Sequence, residues 1–467
     1  MKRLHRVESL GVMWDFYDEK IQKEARTWLK YTKKLHSLSF RSIKIRTRLK
    51  TSMITSFKKL NLKLLRDIHQ RRIKRLVHLP WFGSEMMHYY ALDMRCYPPS
   101  MQEMSLNLDN CAIALDDKNV EKLISMEKFS LLMKLELLFC LDLGMPLAIL
   151  RSIPNPQLLT SLGLSLRNCS PQYERQKLIP ILEFLKSNCS GLEKLDLRLT
   201  HSTEKLGILG SFSPQNRFRI LNLWVSVKSK RYLQGIGFLL LAVKSLLESL
   251  DLTIDFDLDF ILSLESFSRF YKTLGQLTQL RKLRLNFSPR EKPQFRPEYI
   301  QYYKVSPSYP ALMESIACLS RLEELSLYIP DIESELKAHQ LGEALGGLAH
   351  QLKRLEVDFY GQSLDVEEYL GFVDVLRKMK ELRELSIFRF SLAKQKNFLD
   401  FKEALESLNK IEKIFLMRFE IPLKGGGETL NEIVLFMLMK KGLKELSAKH
   451  NFQGNVKKGR KERNSFF

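Results

Sequence analysis

The 467-residue chain lacks most of the signatures by which catalytic and metal-binding proteins are recognised. Its six cysteines include no C-x-x-C pair, which argues against a zinc site or a disulfide framework and favours buried thiols in a reducing compartment. The nine histidines include no H-E-x-x-H, and no G-x-x-x-x-G-K-[ST] phosphate loop occurs. We therefore expect no enzymatic activity, no cofactor and no metal.

A calcium site is the one metal site that the acidic residues suggest. The segment DFDLDF (255–260) spaces three aspartates like the ligands of a calcium loop. That loop needs glycine after the third acid and glutamate at its twelfth place, where Phe260 and Ser266 stand instead. The sequence therefore favours solvated acids at the end of a strand.

Long hydrophobic runs are also missing. The longest, GIGFLLLAV (235–243), is about half of the roughly 20 residues that span a bilayer. The first twenty residues have no apolar run and include four acids, unlike a secretory signal or a mitochondrial presequence. We predict no transmembrane segment and an intracellular, cytoplasmic protein, with the nucleus as the alternative compartment.

A nine-residue phrase recurs along the chain. LEELSLYIP (322–330), LEKLDLRLT (192–200) and LRKLRLNFS (280–288) share the pattern L-x-x-L-x-L-x-apolar. Copies follow one another at intervals of 26 to 42 residues, and weaker copies begin at Leu35 and Ile73. The twelve clear copies begin at Met101, Leu132, Leu159, Leu192, Phe218, Leu247, Leu280, Leu322, Leu352, Leu382, Ile411 and Leu443.

Each phrase has the alternation of a short strand with one buried face. Its fourth, sixth and eighth positions point one way, whereas the fifth and seventh point the other way. Apolar residues at helical spacing follow in 264–280, 311–322, 366–382 and 400–411. A strand and a helix repeated about every 30 residues predict an α/β solenoid in which neighbouring repeats bury each other's leucines.

The phrase and its period resemble the leucine-rich repeat family, most closely its ribonuclease-inhibitor-like type. The resemblance covers roughly residues 100 to 450, with about twelve repeats, and implies a curved horseshoe with a concave parallel β-sheet and convex helices. It departs from the family at the ninth position, where asparagine or cysteine is usual. In eight of the twelve copies that position holds Asp109, Thr200, Ser226, Asp255, Ser288, Pro330, Tyr360 and Phe390 instead, which predicts irregular repeats.

One interval is longer than the others. Between the phrases at Leu280 and Leu322 lies SPREKPQFRPEYIQYYKVSPSYP, with five prolines and many tyrosines and charges. We predict an inserted loop near residues 288–310, which is either part of a binding face or a tolerated surface excursion.

Positive charge is concentrated at the two ends of the chain. Residues 1–80 contain 22 Lys or Arg and 6 Asp or Glu, and residues 440–467 contain 9 and 2. Residues 81–439 contain 44 and 45, so that the predicted solenoid is nearly neutral. We divide the chain into a basic, mainly helical cap (1–80), a solenoid (81–450) and a flexible basic tail (451–467).

Two helices are predicted within the cap, one with apolar residues spaced from Trp14 to Leu35 and one from Met53 to Ile68. Their apolar faces are expected to cover the first repeat, while their basic residues either face solvent or bind a polyanion. The polyanion candidates, including those in the tail, are Lys58, Lys59, Lys63, Arg66, Arg71, Arg72, Lys74, Arg75, Lys457, Lys458, Arg460 and Lys461.

The outward positions of the strands form the candidate protein-binding surface. Several carry large apolar groups where the pattern predicts a wet face, as is typical of interface hot spots, unless loops cover them. The mixed charges argue against a nucleic-acid groove there. The selected residues are Arg198, Trp224, Arg284, Tyr328, Asp358, Phe388, Phe415 and Met417.

The sequence thus favours a scaffold or adaptor that is monomeric by itself and binds an unidentified protein through the concave face. One alternative is docking on a nucleic acid or another anionic surface through the basic ends. Another is an F-box-like adaptor for ubiquitin ligation, with Leu79 and Pro80 as its start. The following WFGSEMMHYYALDM lacks the leucine spacing that this motif needs.

Overall fold

A computed structural model gives the fold, and the chain divides into two compact units, Met1–Leu262 and Ser263–Phe467. Each unit is considered by itself. The structure describes residues 9–14, 37–42, 75–77, 99–108, 125–139, 145–166, 171–199, 218–227, 230–256, 264–289, 309–328, 338–358, 366–388, 395–417 and 445–449.

The described residues of the first unit form nine parallel strands, each paired with the next in chain order. They are β1 (Ser9–Trp14), β2 (Ser37–Ser42), β3 (Arg75–Val77), β4 (Glu103–Leu108), β5 (Lys134–Phe139), β6 (Ser161–Leu166), β7 (Lys194–Leu199), β8 (Ile220–Val227) and β9 (Ser249–Phe256). Its described helices are α1 (Met145–Arg151), α2 (Pro171–Asn188) and α3 (Lys230–Val243), with a 3₁₀ turn at Pro156–Leu158.

In the described part of the second unit there are six parallel strands, again paired in chain order. They are β10 (Lys282–Pro289), β11 (Glu324–Tyr328), β12 (Arg354–Asp358), β13 (Glu384–Phe388), β14 (Lys413–Met417) and β15 (Glu445–Lys449). Its described helices are α4 (Leu264–Leu274), α5 (Tyr309–Ala317), α6 (Ala338–Gly346), α7 (Val366–Lys378) and α8 (Gln395–Ser407), and each contacts the next.

The phrase predicted every strand from β4 to β15. Each of these strands begins two residues after the first position of its phrase, and the strand order is parallel as expected. The four predicted helical segments are confirmed as α4, α5, α7 and α8, which end a few residues earlier than predicted because a turn precedes the next strand. Within each unit the alternation of strand and helix is that of an α/β repeat.

The leucines of the phrase form the core between strands and helices. Every described first-position residue is at most 2% exposed, and so are fourth- and sixth-position residues such as Leu325 and Leu327. Burying one such side chain contributes about 1.5–3 kcal/mol, so neighbouring repeats supply the burial that a single repeat lacks.

Successive repeats are joined at the start of each strand by the same backbone hydrogen bonds. The Arg281 carbonyl accepts from the N–H groups of Glu323 and Glu324, and the Glu323 carbonyl accepts from those of Lys353 and Arg354. Ion pairs join the same three repeats, since Glu323 contacts Arg281 at 2.5 Å and Lys353 at 2.8 Å. Hydrogen bonds from Lys353 and Arg281 lower the pKa of Glu323, which keeps the carboxylate charged.

The region assigned to a helical cap contains strands. The phrases at Leu35 and Ile73 are confirmed as β2 and β3, and β3 pairs with β4. The prediction of a helix at Trp14 is wrong, because Trp14 ends β1, a strand that begins two residues after the first position of a further copy of the phrase, VESLGV (7–12). The rest of both predicted helices lies outside the described residues, as do the predicted insertion beyond Pro289 and the tail.

The expectation of buried cysteines holds in one of the two described cases. Cys189 is buried, which raises the pKa of its thiol to about 12, so it stays protonated. Cys318 is exposed at the end of α5, contrary to the expectation, because it lies in the turn that leads into β11.

Of the ninth-position residues, Ser226 is buried without a hydrogen-bond partner for its hydroxyl in the described structure.

Helices α6 and α7 approach each other through glycine. A Cβ at Gly342 would lie 2.6 Å from the carbonyl oxygen of Gly371, which is backbone and cannot rotate away. At Gly346, in the same helix, an added Cβ would meet nothing within 4 Å.

We expect Gly342→Ala to destabilise the protein by about 1–3 kcal/mol, because the helices must separate to admit the methyl group. Gly346→Ala is the matched control and should be neutral or stabilising, since alanine favours helix and meets no neighbour. Thermal denaturation measures both variants. Equal melting temperatures for the two would contradict the close contact at Gly342.

Candidate protein-binding face

The outward residues of the second unit lie in three rows across its strands. Adjacent strands are about 4.8 Å apart, so in-register residues are side by side. The lower row is Lys282, Glu324, Arg354, Glu384 and Lys413; the middle row is Arg284, Ser326, Glu356, Ser386 and Phe415; the upper row is Asn286, Tyr328, Asp358, Phe388 and Met417.

Glu356 is the centre of a hydrogen-bond network on this face. Its side chain accepts hydrogen bonds from the Ser326 hydroxyl at 3.1 Å, from the Arg354 guanidinium at 3.3 Å and from the Tyr328 hydroxyl. Glu356 is only 8% exposed, and these donors compensate for the burial of its charge. The network fixes the position of the Tyr328 ring.

Tyr328 lies between a cation and a second aromatic ring. The Arg284 guanidinium carbon is 5.0 Å from the centre of the Tyr328 ring, within the range of a cation–π interaction. The Phe388 ring centre is 6.3 Å from that of Tyr328, at an interplanar angle of 39°. Arg284 is exposed, whereas Tyr328 and Phe388 are half-buried. We call these three residues the Arg–Tyr–Phe cluster.

The Tyr328 hydroxyl is held in its neutral form. Burial raises the pKa of this phenol above its ordinary value, and the hydrogen bond to the Glu356 carboxylate raises it further. Tyr328 is therefore a neutral donor throughout the physiological pH range, and its ring stays apolar.

The lower row neutralises its own charge. Lys282 lies 2.5 Å from Glu324, while Glu384 contacts Lys413 at 2.8 Å and Arg354 at 3.6 Å. Exposed pairs of this kind contribute roughly 0–1 kcal/mol each, so their main effect is on charge. The lower row therefore presents charges of alternating sign rather than a continuous line of basic residues that a polyanion could bind.

In the first unit, Arg198 and Trp224 are neighbours on β7 and β8. Both are half-buried, and Arg198 Nε is 3.4 Å from a carboxylate oxygen of Asp196. Trp224 therefore retains part of its surface for contact, as the sequence predicted for an outward position.

The remaining predicted site residues of this unit, on β12 and β14, lie next to the Arg–Tyr–Phe cluster and are not all exposed. Phe415 is half-buried beside Ser386, whereas Asp358 is buried, at 6% exposed, between Tyr328 and Phe388. A direct contact through Asp358 is not supported by this burial, which arises because larger side chains flank it on both sides. Met417 ends β14, and its side chain lies outside the described residues.

Among the polyanion candidates, Arg75 begins β3, and all the others lie outside the described residues. Sequence reasoning also missed Ser326 and Arg354, which support Glu356. The available signal was a serine and a glutamate at the fifth position of adjacent phrases, LEELSLYIP and LKRLEVDFY.

The described residues form neither a metal-binding cluster nor a membrane-spanning helix. They contain no group of three His, Cys, Asp or Glu side chains placed to hold a metal ion. Among their helices, none has the length and hydrophobicity to cross a membrane.

The raised pKa of Tyr328 predicts how its phenol titrates in the native protein. Between about pH 9 and 11, native wild-type protein and Tyr328→Phe should gain equal phenolate absorbance, because Tyr328 does not ionise there. In denaturant the wild type should gain one phenolate more. Since the pKa is raised on folding, the phenol contributes stability below about pH 10 that is lost as pH rises through the folded value. If native Tyr328→Phe instead gains one phenolate fewer than the native wild type over this pH range, the buried and hydrogen-bonded environment of Tyr328 is contradicted.

Comparisons with known proteins find no matching family model and no matching curated protein. Among solved structures, a crystal structure of a Rad7 and Elc1 complex in yeast matches 79% of this chain and 89% of its own, at 17% identity and a TM-score of 0.38. The apo crystal structure of 3-keto-D-glucoside 4-epimerase from E. coli matches 51% and 97%, at 12% identity and a TM-score of 0.17. Both scores are below 0.5, so neither likeness carries a functional argument.

Proposed function

We propose that this chain is a non-catalytic scaffold of the leucine-rich repeat type that binds a protein partner through the outward face of its strands. The observation that carries the proposal is the Arg–Tyr–Phe cluster, which is accessible and held in place by Glu356. Aromatic residues and arginine dominate the binding energy of protein interfaces.

The fixed geometry of the cluster favours this function. Two rings and a guanidinium that are already positioned lose little side-chain freedom when a partner binds. Their mixed character suits a partner surface with apolar groups and a carboxylate, the latter facing Arg284. A groove for nucleic acid would instead need basic residues in series, which the alternating lower row does not provide.

A second candidate function rests on the segregation of charge. Residues 1–80 carry 22 basic and 6 acidic side chains, which suits docking on a polyanion. The two functions are compatible, because the basic candidates are far in sequence from the Arg–Tyr–Phe cluster.

Partner capture tests the first function. Full-length Tyr328→Ala, Phe388→Ala and Trp224→Ala should each retain less than about a tenth of the partner recovered by the wild type, as expected for hot-spot residues. Phe238→Ala is the matched control, because Phe238 is a 62% exposed aromatic residue of helix α3 rather than of a strand. Undiminished recovery by all three strand variants would refute the outward-face assignment.

A salt series with duplex DNA tests the second function. Because β3 pairs with β4, charge neutralisation is preferable to deletion of residues 1–80. Lys58, Lys59, Lys63 and Arg66 replaced together by Gln should reduce the slope of log affinity against log salt by about 0.9 per lost phosphate contact. The control replaces the exposed Lys244 and Lys272 by Gln and should leave the slope unchanged. Equal slopes for both variants would exclude these four residues as a docking site.

A further inference from the structure

A small pocket lies on the outward face of the first unit, above β6. Its volume is about 250 Å³, and its lining includes residues of β4, β5, β6 and β7. The pocket exists because Gly163 has no side chain, while its in-register neighbours Glu136 and Asp196 do. A Cβ at Gly163 would lie 3.0 Å from Cγ of Glu136, so larger side chains there would fill the space.

Two rows of polar residues cross the pocket. One row places Ser161 between Lys134 and Lys194, and the other places Gly163 between Glu136 and Asp196. The rows are two residues apart along the strands, which corresponds to about 6.6 Å. Positive groups therefore flank one end of the pocket and carboxylates flank the other.

Of the four charged residues in these two rows, Lys134 and Asp196 have oppositely charged partners among the described residues, whereas Glu136 and Lys194 do not. Lys134 is paired with Glu103 at 2.9 Å, and Asp196 is 3.4 Å from Arg198. Glu136 accepts a hydrogen bond of 2.7 Å from the Ser105 hydroxyl but has no cationic partner there.

The ammonium of Lys194 likewise has no partner in the described part of the chain, although Lys194 lines the pocket. One carboxylate and one ammonium thus face the same space from opposite sides of β6 and would each gain a partner from an occupant that carries both charges.

The volume indicates the size of this occupant. A space of 250 Å³ holds about eight waters at roughly 30 Å³ each, and it is smaller than the roughly 300–1,000 Å³ typical of small-molecule sites. Two side chains of a bound peptide fit this volume. In an extended peptide, side chains two residues apart point the same way at about the same 6.6 Å spacing as the rows.

We propose that this pocket binds an extended segment of a protein partner in which a Lys or Arg and an Asp or Glu stand two residues apart. The basic side chain lies over Gly163 between Glu136 and Asp196, and the acidic one lies beside Ser161 and pairs with Lys194. The proposal rests on the proposed protein-binding function and adds a sequence motif that the partner must contain.

Fluorescence anisotropy of the full-length chain with labelled peptides tests the motif. The probe is Gly-Gly-Lys-Gly-Glu-Gly-Gly-amide, and its isomer Gly-Gly-Lys-Glu-Gly-Gly-Gly-amide has the same composition and charge. We expect the probe to bind at least about tenfold more tightly than the isomer, because only the probe directs both charges to one side. Equal affinities, or no binding of the probe at millimolar concentration, would overturn the proposal.

Two variants locate the binding. Gly163→Leu fills the pocket and Lys194→Gln removes the ammonium, so each should weaken probe binding about tenfold or more. Asn222→Leu, at the equivalent row position on β8, is the matched control and should change affinity less than about twofold. Circular dichroism verifies folding, and Lys194→Gln decides the matter if Gly163→Leu does not fold. Unchanged affinity in Lys194→Gln would overturn the assignment.

The remaining outcomes separate this proposal from the broader one. Free lysine and glutamate that compete as strongly as the probe would assign the pocket to a small zwitterion and refute the peptide motif. If the probe fails to bind while Tyr328→Ala and Phe388→Ala still abolish partner capture, the pocket assignment fails and the scaffold function stands. If Gly163→Leu and Lys194→Gln weaken probe binding while Tyr328→Ala and Phe388→Ala leave partner capture unchanged, the pocket assignment stands. The Arg–Tyr–Phe cluster is then excluded as a binding surface.

Discussion

The parallel pairing of one repeat with the next is the constraint on which the rest of this structure depends. A strand of five to eight residues with leucines on one face cannot bury them within a single repeat. When Leu325 lies in register with Leu283 and Leu355, the inward face becomes continuous, and the helices cover it. The same register aligns the outward side chains, so the core and both candidate binding surfaces have a common cause.

Because neighbouring strands are in register, outward residues that are distant in sequence lie side by side and form sites. Glu356 alone would be a costly buried carboxylate, but Ser326 and Tyr328 on the neighbouring strand and Arg354 on its own strand provide donors. The Gly163 pocket depends on the opposite effect, since a missing side chain between two longer neighbours creates space. The two surfaces differ accordingly: the Arg–Tyr–Phe cluster presents aromatic rings and a cation, whereas the pocket presents separated charges of both signs.

The strands were predictable because their signal is periodic and local. The twelve phrases placed β4 to β15, and the two weaker phrases at Leu35 and Ile73 placed β2 and β3. Aromatic residues at helical intervals after Trp14 predict a helix, but the residues from Val7 also match the phrase, and the strand Ser9–Trp14 is what forms. Competition between two periods in one short segment cannot be resolved by spacing alone, because the partner strand decides which period is satisfied.

The sequence by itself determined the alternation of strand and helix, the residues of the core and the outward position of Tyr328, Phe388 and Trp224. These follow from spacing, because a leucine at the fourth position of a strand necessarily faces away from a residue at the fifth. Tertiary structure decided what the outward residues do. It buried Asp358, paired Tyr328 with Glu356, and left Glu136 and Lys194 around Gly163 without an oppositely charged partner among the described residues. These outcomes depend on side chains that are about 30 residues apart in sequence, and only the register of neighbouring strands brings them together.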